Sequence, residues 1–255
     1  MSKSVNLNAD LGEGFGLWPL GDDTAMLEVV NSANIACGFH AGDATVMTRT
    51  VRAALACGVA IGAHPSYPDL QGFGRRAMAL TEAEIEAVVI YQIGALAGIA
   101  GAQGARVEHV KPHGALSNRA AVDAAAAAAI ARAVKAVDAG LILLAPAGSA
   151  MVRAGLDLGL RVEEEVFADR AYADDGTLIP RSHPLAMIHR PDQAALHAVR
   201  MVGEGVIRTL SGKEIATTAR SVCVHGDDPH AVDLARHVRT VLEAAHLTLA
   251  PLSQL

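Results

Sequence analysis

The chain has 255 residues, of which 51% are hydrophobic and 19% are charged. This composition excludes disorder as the main state, and the length fits one or two domains or one large barrel. The formal net charge of −6 argues against a positively charged surface of the kind that binds nucleic acids or anionic membranes. We therefore expect neither nucleic acid nor a membrane as a partner.

The three cysteines, Cys37, Cys57 and Cys223, are odd in number and form no CxxC pair. They argue against a disulfide framework and a cysteine-rich zinc site, and they favour reduced thiols in the cytoplasm. The N-terminal segment reaches Asp10 and Glu13 before any apolar block, which argues against a secretory signal.

Seven short runs of strand-forming residues recur along the chain, and helical patterns separate most of them. The runs are residues 5–10, 34–39, 59–64, 107–111, 141–145, 161–166 and 221–225. Strands that alternate with helices predict parallel pairing with right-handed crossovers, because each crossover helix must cover one face of the sheet.

The helices between these strands have recognisable ends. Asp43 is the predicted N-cap of the helix after the second strand, and Thr81 with Glu84 has the spacing of a capping box. Asn118 is the predicted N-cap of the alanine-rich helix that ends before Gly140.

Residues 87–105 carry no formal charge and are about long enough to span a bilayer. The segment also contains Tyr91, two glutamines and four glycines, which weaken its transfer into lipid. We therefore predict a helix buried on one face of a soluble fold, in which Gly94 and Gly98 allow close packing.

Reactive side chains lie at or just past the ends of the predicted strands: Asp10, His40, His64, Lys111, His113, Asp169 and His225. An open sheet gathers ligands mainly at one switch point, whereas a closed barrel brings all strand ends to one mouth. The sequence therefore predicts an α/β fold, a TIM-like (β/α) barrel of seven or eight strands that forms one domain over residues 1–255.

The first motif, NADLGEGFG at residues 8–16, leaves a strand into a glycine-rich turn. Its glycines allow a tight fold, so Asp10 and Glu13 can point at one site. Two carboxylates there could bind a metal, act as acid and base, or accept bonds from a substrate amine. The alternative is an ordinary turn in which Asp10 accepts bonds from nearby amides.

Two further motifs follow the second and third strands. His40 is suited to proton transfer, whereas the nearby Asp43 is first of all a helix cap. His64 opens a loop that runs to residue 76, and loops of this length in compact domains are often functional. Arg75 or Arg76 could bind a carboxylate or a phosphate, although a solvated pair explains one of them equally well.

The fourth motif, VKPHGAL, contains Lys111 and His113. His109 and His113 have a zinc-helix spacing, but Pro112 argues against a helix there. In an extended strand the two histidines would lie about 13 Å apart, too far to share one metal. Lys111 and His113 point to the same mouth only if the strand ends between them.

The last two motifs surround Asp169 and His225. Asp169 either contributes to the site or forms a structural ion pair with Arg170 or Arg181. Asp227 either orients His225 or caps the final helix, which Pro229 also helps to start. The sequence contains neither a GxSxG elbow nor a Walker A motif, so no serine hydrolase of that type and no self-contained P-loop ATPase is supported.

Taken together, NADLGEGFG, ANIACGFHAGD, GAHPSYPDLQGFGRR, VKPHGAL, FADRAY, LIPR and CVHGDDP resemble the LamB/YcsF family, in order and over almost the entire chain. The resemblance implies a barrel related to the glycoside hydrolase/deacetylase superfamily. It also implies a hydrolase for a cyclic amide, the ATP-dependent 5-oxoprolinase, which converts 5-oxoproline (pyroglutamate), ATP and water into L-glutamate, ADP and phosphate. Two partner subunits, B and C, are implied, with Mg-ATP as co-substrate. Ser117 departs from the family, which commonly has Tyr there.

This chemistry requires a base, an acid and cationic groups, because a five-membered lactam is an unreactive amide. We hypothesise that Asp10 or Glu13 with His64 activates water. Lys111 and His113 then stabilise developing oxygen charge, and Arg75 or Arg181 holds the substrate carboxylate. The candidate catalytic residues are Asp10, Glu13, His40, His64, Lys111 and His113, and the candidate substrate-binding residues are Arg75, Asp169, Arg181, His225 and Asp227.

Two other functions fit the same residues. A metal-dependent deacetylase or amidohydrolase could use Asp10, His64 and His113 as ligands. A noncatalytic protein of the complex could instead bind a lactam or a carbohydrate in the same pocket. The sequence alone does not identify a bound metal.

Overall fold

Parallel strands close a barrel in the computed structural model, which describes residues 3–226 and 230–255. The strands are β1 (Ser4–Leu11), β2 (Ser32–Ala36), β3 (Ala60–His64), β4 (His109–Val110), β5 (Ile142–Pro146), β6 (Arg161–Phe167), β7 (Val206–Arg208), β8 (Glu214–Ala216), β9 (Ser221–Val224) and β10 (Thr248–Leu249). The barrel order is β1 to β6 and then β9, which pairs with β1. The predicted closed barrel and its seven strands are confirmed.

Three short strands lie outside the barrel and have no counterpart among the predicted strands. The β7 and β8 strands form an antiparallel hairpin, and β10 adds in parallel to the beginning of β1. Each has only two or three residues, which is too short for a hydrophobic period to appear in the sequence.

Helices cover the outside of the barrel. They are α1 (Asp23–Leu27), α2 (Ala44–Ala56), α3 (Glu82–Gly101), α4 (Gly114–Val122), α5 (Ala124–Val137), α6 (Ala150–Asp157), α7 (Pro191–Val199) and α8 (Ala231–Ala244). The carboxylate of Asp43 accepts bonds from the first turn of α2, and Thr81 with Glu84 forms the complete capping box of α3. Both predicted helix starts are confirmed.

The predicted N-cap at Asn118 is wrong, because Asn118 lies inside α4. The alanine-rich helix α5 begins later, where the carboxylate of Asp123 accepts bonds from the N–H groups of Ala125 and Ala126 at 3.0 and 3.2 Å. An ionised carboxylate that satisfies two free N–H groups makes the better cap. The residues between 118 and 123 continue the preceding helix instead.

Helix α3 packs one face on β3 and α5, through Ile85, Val89, Ile93, Leu96 and Ala100. Within the described part of the chain, it is the one helix long and apolar enough to cross a membrane. The expectation of close packing at Gly94 and Gly98 is wrong. Both lie on the exposed face, and no atom lies within 4 Å of the place where a Cβ would stand.

The interior of the barrel contains many polar side chains. Along β1, Asn6, Asn8 and Asp10 alternate with apolar residues that belong to the core shared with the helices. Asn6 Nδ2 donates to Ser32 Oγ at 2.9 Å, and Asn8 Nδ2 donates to Ser221 Oγ at 2.9 Å. These bonds tie the polar side chains of β1 to both neighbouring strands, which offsets the cost of burying them.

His109 crosses the interior from β4 to β2. Its Nε2 lies 2.8 Å from Asn34 Oδ1, and burial lowers the pKa of His109 to about 3, so the ring is neutral. The ring lies directly against Gly62 of β3, where an added Cβ would overlap His109 Nε2. Glycine at position 62 is therefore a steric requirement of this hydrogen bond.

We expect Gly62→Ala to destabilise the fold by about 1–3 kcal/mol, because the new methyl group overlaps a buried ring that cannot move without breaking its bond. The matched control is Gly94→Ala, which places the same methyl group in open space on a helix and should stabilise the protein by up to about 1 kcal/mol. Urea unfolding of both variants measures the difference. Equal midpoints for Gly62→Ala and the wild type would contradict the steric argument.

Candidate active site

A cavity of about 190 Å³ opens at the carboxyl ends of the barrel strands. This volume is below the roughly 300–1,000 Å³ of pockets for drug-sized ligands, so it suits a small metabolite. Seven residues that the sequence singled out lie around it: Asp10, His64, Arg75, Lys111, His113, Arg181 and His225. The structure therefore brings together side chains from both ends of the sequence and from the strands between them.

Lys111 forms the charged floor of this cavity. Its Nζ lies 2.9 Å from Asp10 Oδ1, 2.9 Å from Cys223 Sγ and 3.2 Å from Glu165 Oε2. Burial alone would lower the pKa of Lys111, but its charged and polar contacts, that with Asp10 above all, outweigh it and hold the pKa well above its ordinary value. The ammonium group is therefore a permanent cation.

Asp10 is the counter-ion of Lys111. Burial would raise the pKa of Asp10, but His64 and Lys111 outweigh it and hold the pKa well below its ordinary value. Asn34 Nδ2 donates to Asp10 Oδ1 at 2.9 Å, and Asp10 Oδ2 lies 3.3 Å from His64 Nε2. One carboxylate oxygen is thus held by Lys111 and Asn34, while the other faces the histidines.

Glu165 and Cys223 complete the surroundings of Lys111, and neither is among the predicted site residues. Burial raises the pKa of Glu165 and, more strongly, that of Cys223, so Asp10 is the stable anion of the group. Both residues could have been identified from the sequence, because the side chains of β6 and β9 point alternately into and out of the barrel, and Glu165 and Cys223 fall at inward positions.

The proton positions of His64 and His113 follow from their backbone partners. His64 Nδ1 lies 2.6 Å from the carbonyl oxygen of Lys111, and His113 Nε2 lies 2.9 Å from that of Phe73. A carbonyl oxygen only accepts, so both of these ring nitrogens carry a proton. The other two nitrogens, His64 Nε2 and His113 Nδ1, lie 3.0 Å apart, and His64 Nε2 also faces Asp10 Oδ2 at 3.3 Å.

Glu13 and His40 lie behind these two histidines. Glu13 Oε1 lies 3.4 Å from His40 Nε2 and 3.6 Å from His113 Nδ1. The rings of His40 and His113 stack with centroids 3.9 Å apart. Burial lowers the pKa of both rings well below the ordinary value, which keeps them neutral.

Two groups of side chains have donor atoms close enough to hold a metal ion, all within 4.8 Å of one another. The first is Glu13, His40, His64 and His113, and we call it the histidine cluster. The second is Asp10, Cys223 and His225. The ammonium of Lys111 already lies against Asp10 and Cys223, so it would repel a cation in the second group.

Arginines form the outer wall of the cavity. Arg75 stacks its guanidinium 4.9 Å above the ring of Phe73, and Arg181 lines both this cavity and a neighbouring one of about 220 Å³. Arg170 also lines the cavity, and its guanidinium donates to the carbonyl oxygen of Ile179 at 2.7 Å. Burial lowers the pKa of Arg170 to about 10, which still leaves it charged at neutral pH.

Asp169 lines the neighbouring cavity and supports His225, which lines both. Its carboxylate accepts a bond from His225 Nδ1 at 2.8 Å. Burial would raise the pKa of Asp169, but His225 outweighs it and lowers the pKa. Asp169 is thus placed to position His225 rather than to touch a ligand in the first cavity. Asp227, the other residue predicted to act here, lies outside the described residues.

The sequence matches the model of the LamB/YcsF family over residues 5–255. It is 58% identical over 251 residues to the A subunit of 5-oxoprolinase from Azoarcus sp. (strain BH72), covering 98% of each chain. The structure is similar to the crystal structure of a lactam utilization protein from Thermus thermophilus, with a TM-score of 0.91 and 47% identity. That alignment covers 97% of this chain and 99% of the other.

A more distant similarity concerns the fold alone. The catalytic domain of a peptidoglycan N-acetylglucosamine deacetylase from Eubacterium rectale superposes with a TM-score of 0.54 at 12% identity. The superposition covers 99% of this chain and 89% of the deacetylase chain. This similarity agrees with the predicted TIM-like barrel.

Proposed function

The chain belongs to the LamB/YcsF family, and from this we propose that it is the A subunit of an ATP-dependent 5-oxoprolinase. In this role it is a hydrolase that opens the cyclic amide of 5-oxoproline. The buried ion pair of Lys111 with Asp10 at the floor of a small cavity is the observation that carries the proposal. It sets a fixed cation and an anion beside the same small ligand.

The shape and charge of the cavity support a small cyclic acid as substrate. Arg75 and Arg181 offer guanidinium groups to the carboxylate at the outer wall. Phe167 and Leu178 provide apolar surface for the ring. The amide of the lactam then lies toward Lys111 and Asp10, which are buried charged groups of the cavity wall.

The residues can perform the hydrolytic half of the reaction once the lactam oxygen is phosphorylated by ATP. Asp10 together with His64 accepts a proton from water as the water oxygen bonds to the activated carbon, and Lys111 stabilises the negative charge that develops. The carbon–nitrogen bond then breaks and the ring nitrogen takes up the proton, which leaves an acyl phosphate of glutamate. A second water molecule attacks the carbonyl carbon of this acyl phosphate and releases phosphate. The products are L-glutamate, phosphate and the ADP from the first half.

We assign the phosphorylation step to partner subunits B and C. The sequence has no Walker A motif for the phosphates of Mg-ATP. The name of the relative from Azoarcus sp. is that of one subunit among several, which supports an assembly with others. The cysteines are free thiols, which suits a cytoplasmic location.

A coupled assay for glutamate with this chain and the purified B and C subunits tests this function. Turnover of 5-oxoproline and ATP is expected only when all three are present, and omission of each one in turn should abolish it. Glutamate formation by this chain alone with ATP would contradict the division of labour. Equal activity of B and C without this chain would contradict its role.

Arg181→Ala tests the carboxylate contact. We expect KM for 5-oxoproline to rise roughly 10- to 100-fold, because a charge-assisted hydrogen bond contributes about 1.5–3 kcal/mol, while kcat changes much less. Arg190→Ala is the matched control, since Arg190 is exposed and pairs with Asp192. Steady-state kinetics of the reconstituted complex measure both variants. An unchanged KM in Arg181→Ala would place the carboxylate elsewhere.

A further inference from the structure

We propose that the histidine cluster, Glu13, His40, His64 and His113, binds one divalent transition-metal ion of the zinc class. The four donor atoms lie within 4.8 Å of one another, and all four residues are buried. The inference stands on the geometry of these side chains and does not depend on the identity of the substrate.

The ring nitrogens of the cluster are placed to share a cation. His64 Nε2 and His113 Nδ1 lie 3.0 Å apart and point toward the same place, because the opposite nitrogen of each ring bonds a backbone carbonyl oxygen. Two lone pairs at this distance repel each other unless a proton or a metal ion lies between them. Glu13 adds a carboxylate oxygen 3.6 Å from His113 Nδ1, which favours positive charge at the same point.

The spacing of the donors matches a metal centre. A zinc ion with bonds of about 2.0–2.1 Å in tetrahedral geometry holds its donors about 3.3–3.4 Å apart. The separations here are 3.0 Å for His64 to His113, 3.4 Å for Glu13 to His40, and 3.6 Å for Glu13 to His113. All donor pairs lie within 4.8 Å, so side-chain movements of up to about 1.5 Å would close the set around one ion.

The chemistry of the donors selects the kind of metal. Three imidazoles and one carboxylate suit zinc, cobalt or nickel, whereas magnesium and calcium take oxygen donors. A metal ligand must be a neutral imidazole, and His40 and His113 are both buried away from water. The carbonyl oxygens of Lys111 and Phe73 orient the rings of His64 and His113, as the outer partners of histidine ligands do.

The proposed ion also has a defined place relative to the cavity. His64 and His113 line the cavity of about 190 Å³, so the ion lies at its wall, and Asp10 separates it from Lys111. This ligand set differs from one made of Asp10, His64 and His113, because Asp10 is committed to Lys111. Glu13 supplies the carboxylate instead.

Metal content of the full-length chain tests the proposal without any substrate. The protein is stripped with a chelator, titrated with zinc, and analysed by mass spectrometry and calorimetry. We expect about one equivalent of zinc and a rise in Tm of about 5–10 °C at free zinc of about 100 times Kd. Cobalt(II) should give the visible absorption of a nitrogen- and oxygen-ligated site. Less than about 0.1 equivalent at saturating zinc would overturn the proposal.

Variants locate the ion. Glu13→Gln and His64→Gln should each weaken zinc binding at least tenfold, since loss of even an outer partner of a ligand weakens binding about 10- to 100-fold. His225→Gln is the matched control in the same cavity and should keep full stoichiometry; circular dichroism verifies that each variant is folded. Wild-type affinity in both ligand variants would overturn the assignment, as would loss of zinc in His225→Gln. Because no ATP, lactam or partner protein is present, failure here leaves the 5-oxoprolinase assay unaffected.

Discussion

Lys111→Met is expected to destabilise the fold by about 3–5 kcal/mol and to abolish turnover. The side chain is 3% exposed, and its ammonium is the counter-charge of Asp10 inside the barrel. Methionine fills the same space but leaves a buried carboxylate without a partner, which is the costly way to break a buried ion pair. The developing negative charge on the substrate oxygen also loses its cation.

Urea unfolding and the reconstituted assay measure the two effects of Lys111→Met. Lys135→Met is the control, because Lys135 is exposed on α5 and the change should stay within about 0.5 kcal/mol. The double variant Asp10→Asn with Lys111→Met should lose less stability than the sum of the single changes, since it removes both charges. A loss below about 1 kcal/mol in Lys111→Met would contradict the buried ion pair.

Asp10→Asn is expected to lower turnover of the reconstituted complex by about 100- to 10,000-fold, the usual contribution of a general base. Asparagine keeps the shape and the polar contacts but cannot accept the proton of water. The fold should tolerate the change, because Asp10 contributes to the raised pKa of Glu165. Without Asp10, Glu165 ionises more readily and replaces it as the partner of Lys111.

Steady-state kinetics and size-exclusion chromatography of the complex separate catalysis from assembly in Asp10→Asn. Asp192→Asn is the control, since that carboxylate pairs with Arg190 at the exposed start of α7. Full activity of Asp10→Asn in an intact complex would favour a noncatalytic protein that merely holds the lactam. Unchanged assembly with lost turnover would support a catalytic one.

Much of the fold follows from local sequence. Strand-forming runs before Asp10, His64 and Lys111 predicted three of the barrel strands, and Thr81 with Glu84 predicted the beginning of α3. The convergence of the site follows from topology, because a closed parallel barrel brings every carboxyl end to one mouth. Residues far apart in sequence could therefore be assigned to one cavity before any distance was known.

The remaining features depend on contacts that no local pattern contains. The choice of Asp123 over Asn118 as a helix cap depends on where α4 stops, and both residues are good caps by type. The direction of the His113 lone pair depends on the carbonyl of Phe73, a residue with φ of 53° in the loop after β3. Such left-handed backbone at a non-glycine residue is set by its tertiary surroundings.

The hydrogen-bonded interior of the barrel restricts how this protein can evolve. Branched aliphatic residues that fill other barrels can replace one another singly, because they need only volume. The interior side chains here instead form hydrogen bonds between strands, as Asn8 does with Ser221 and Asn34. A single substitution therefore leaves a buried polar group on the neighbouring strand without its hydrogen-bond partner. Substitutions in the interior should therefore be tolerated mainly when the hydrogen-bond partners change together. Single substitutions in the alanine-rich outer helices should be tolerated more readily.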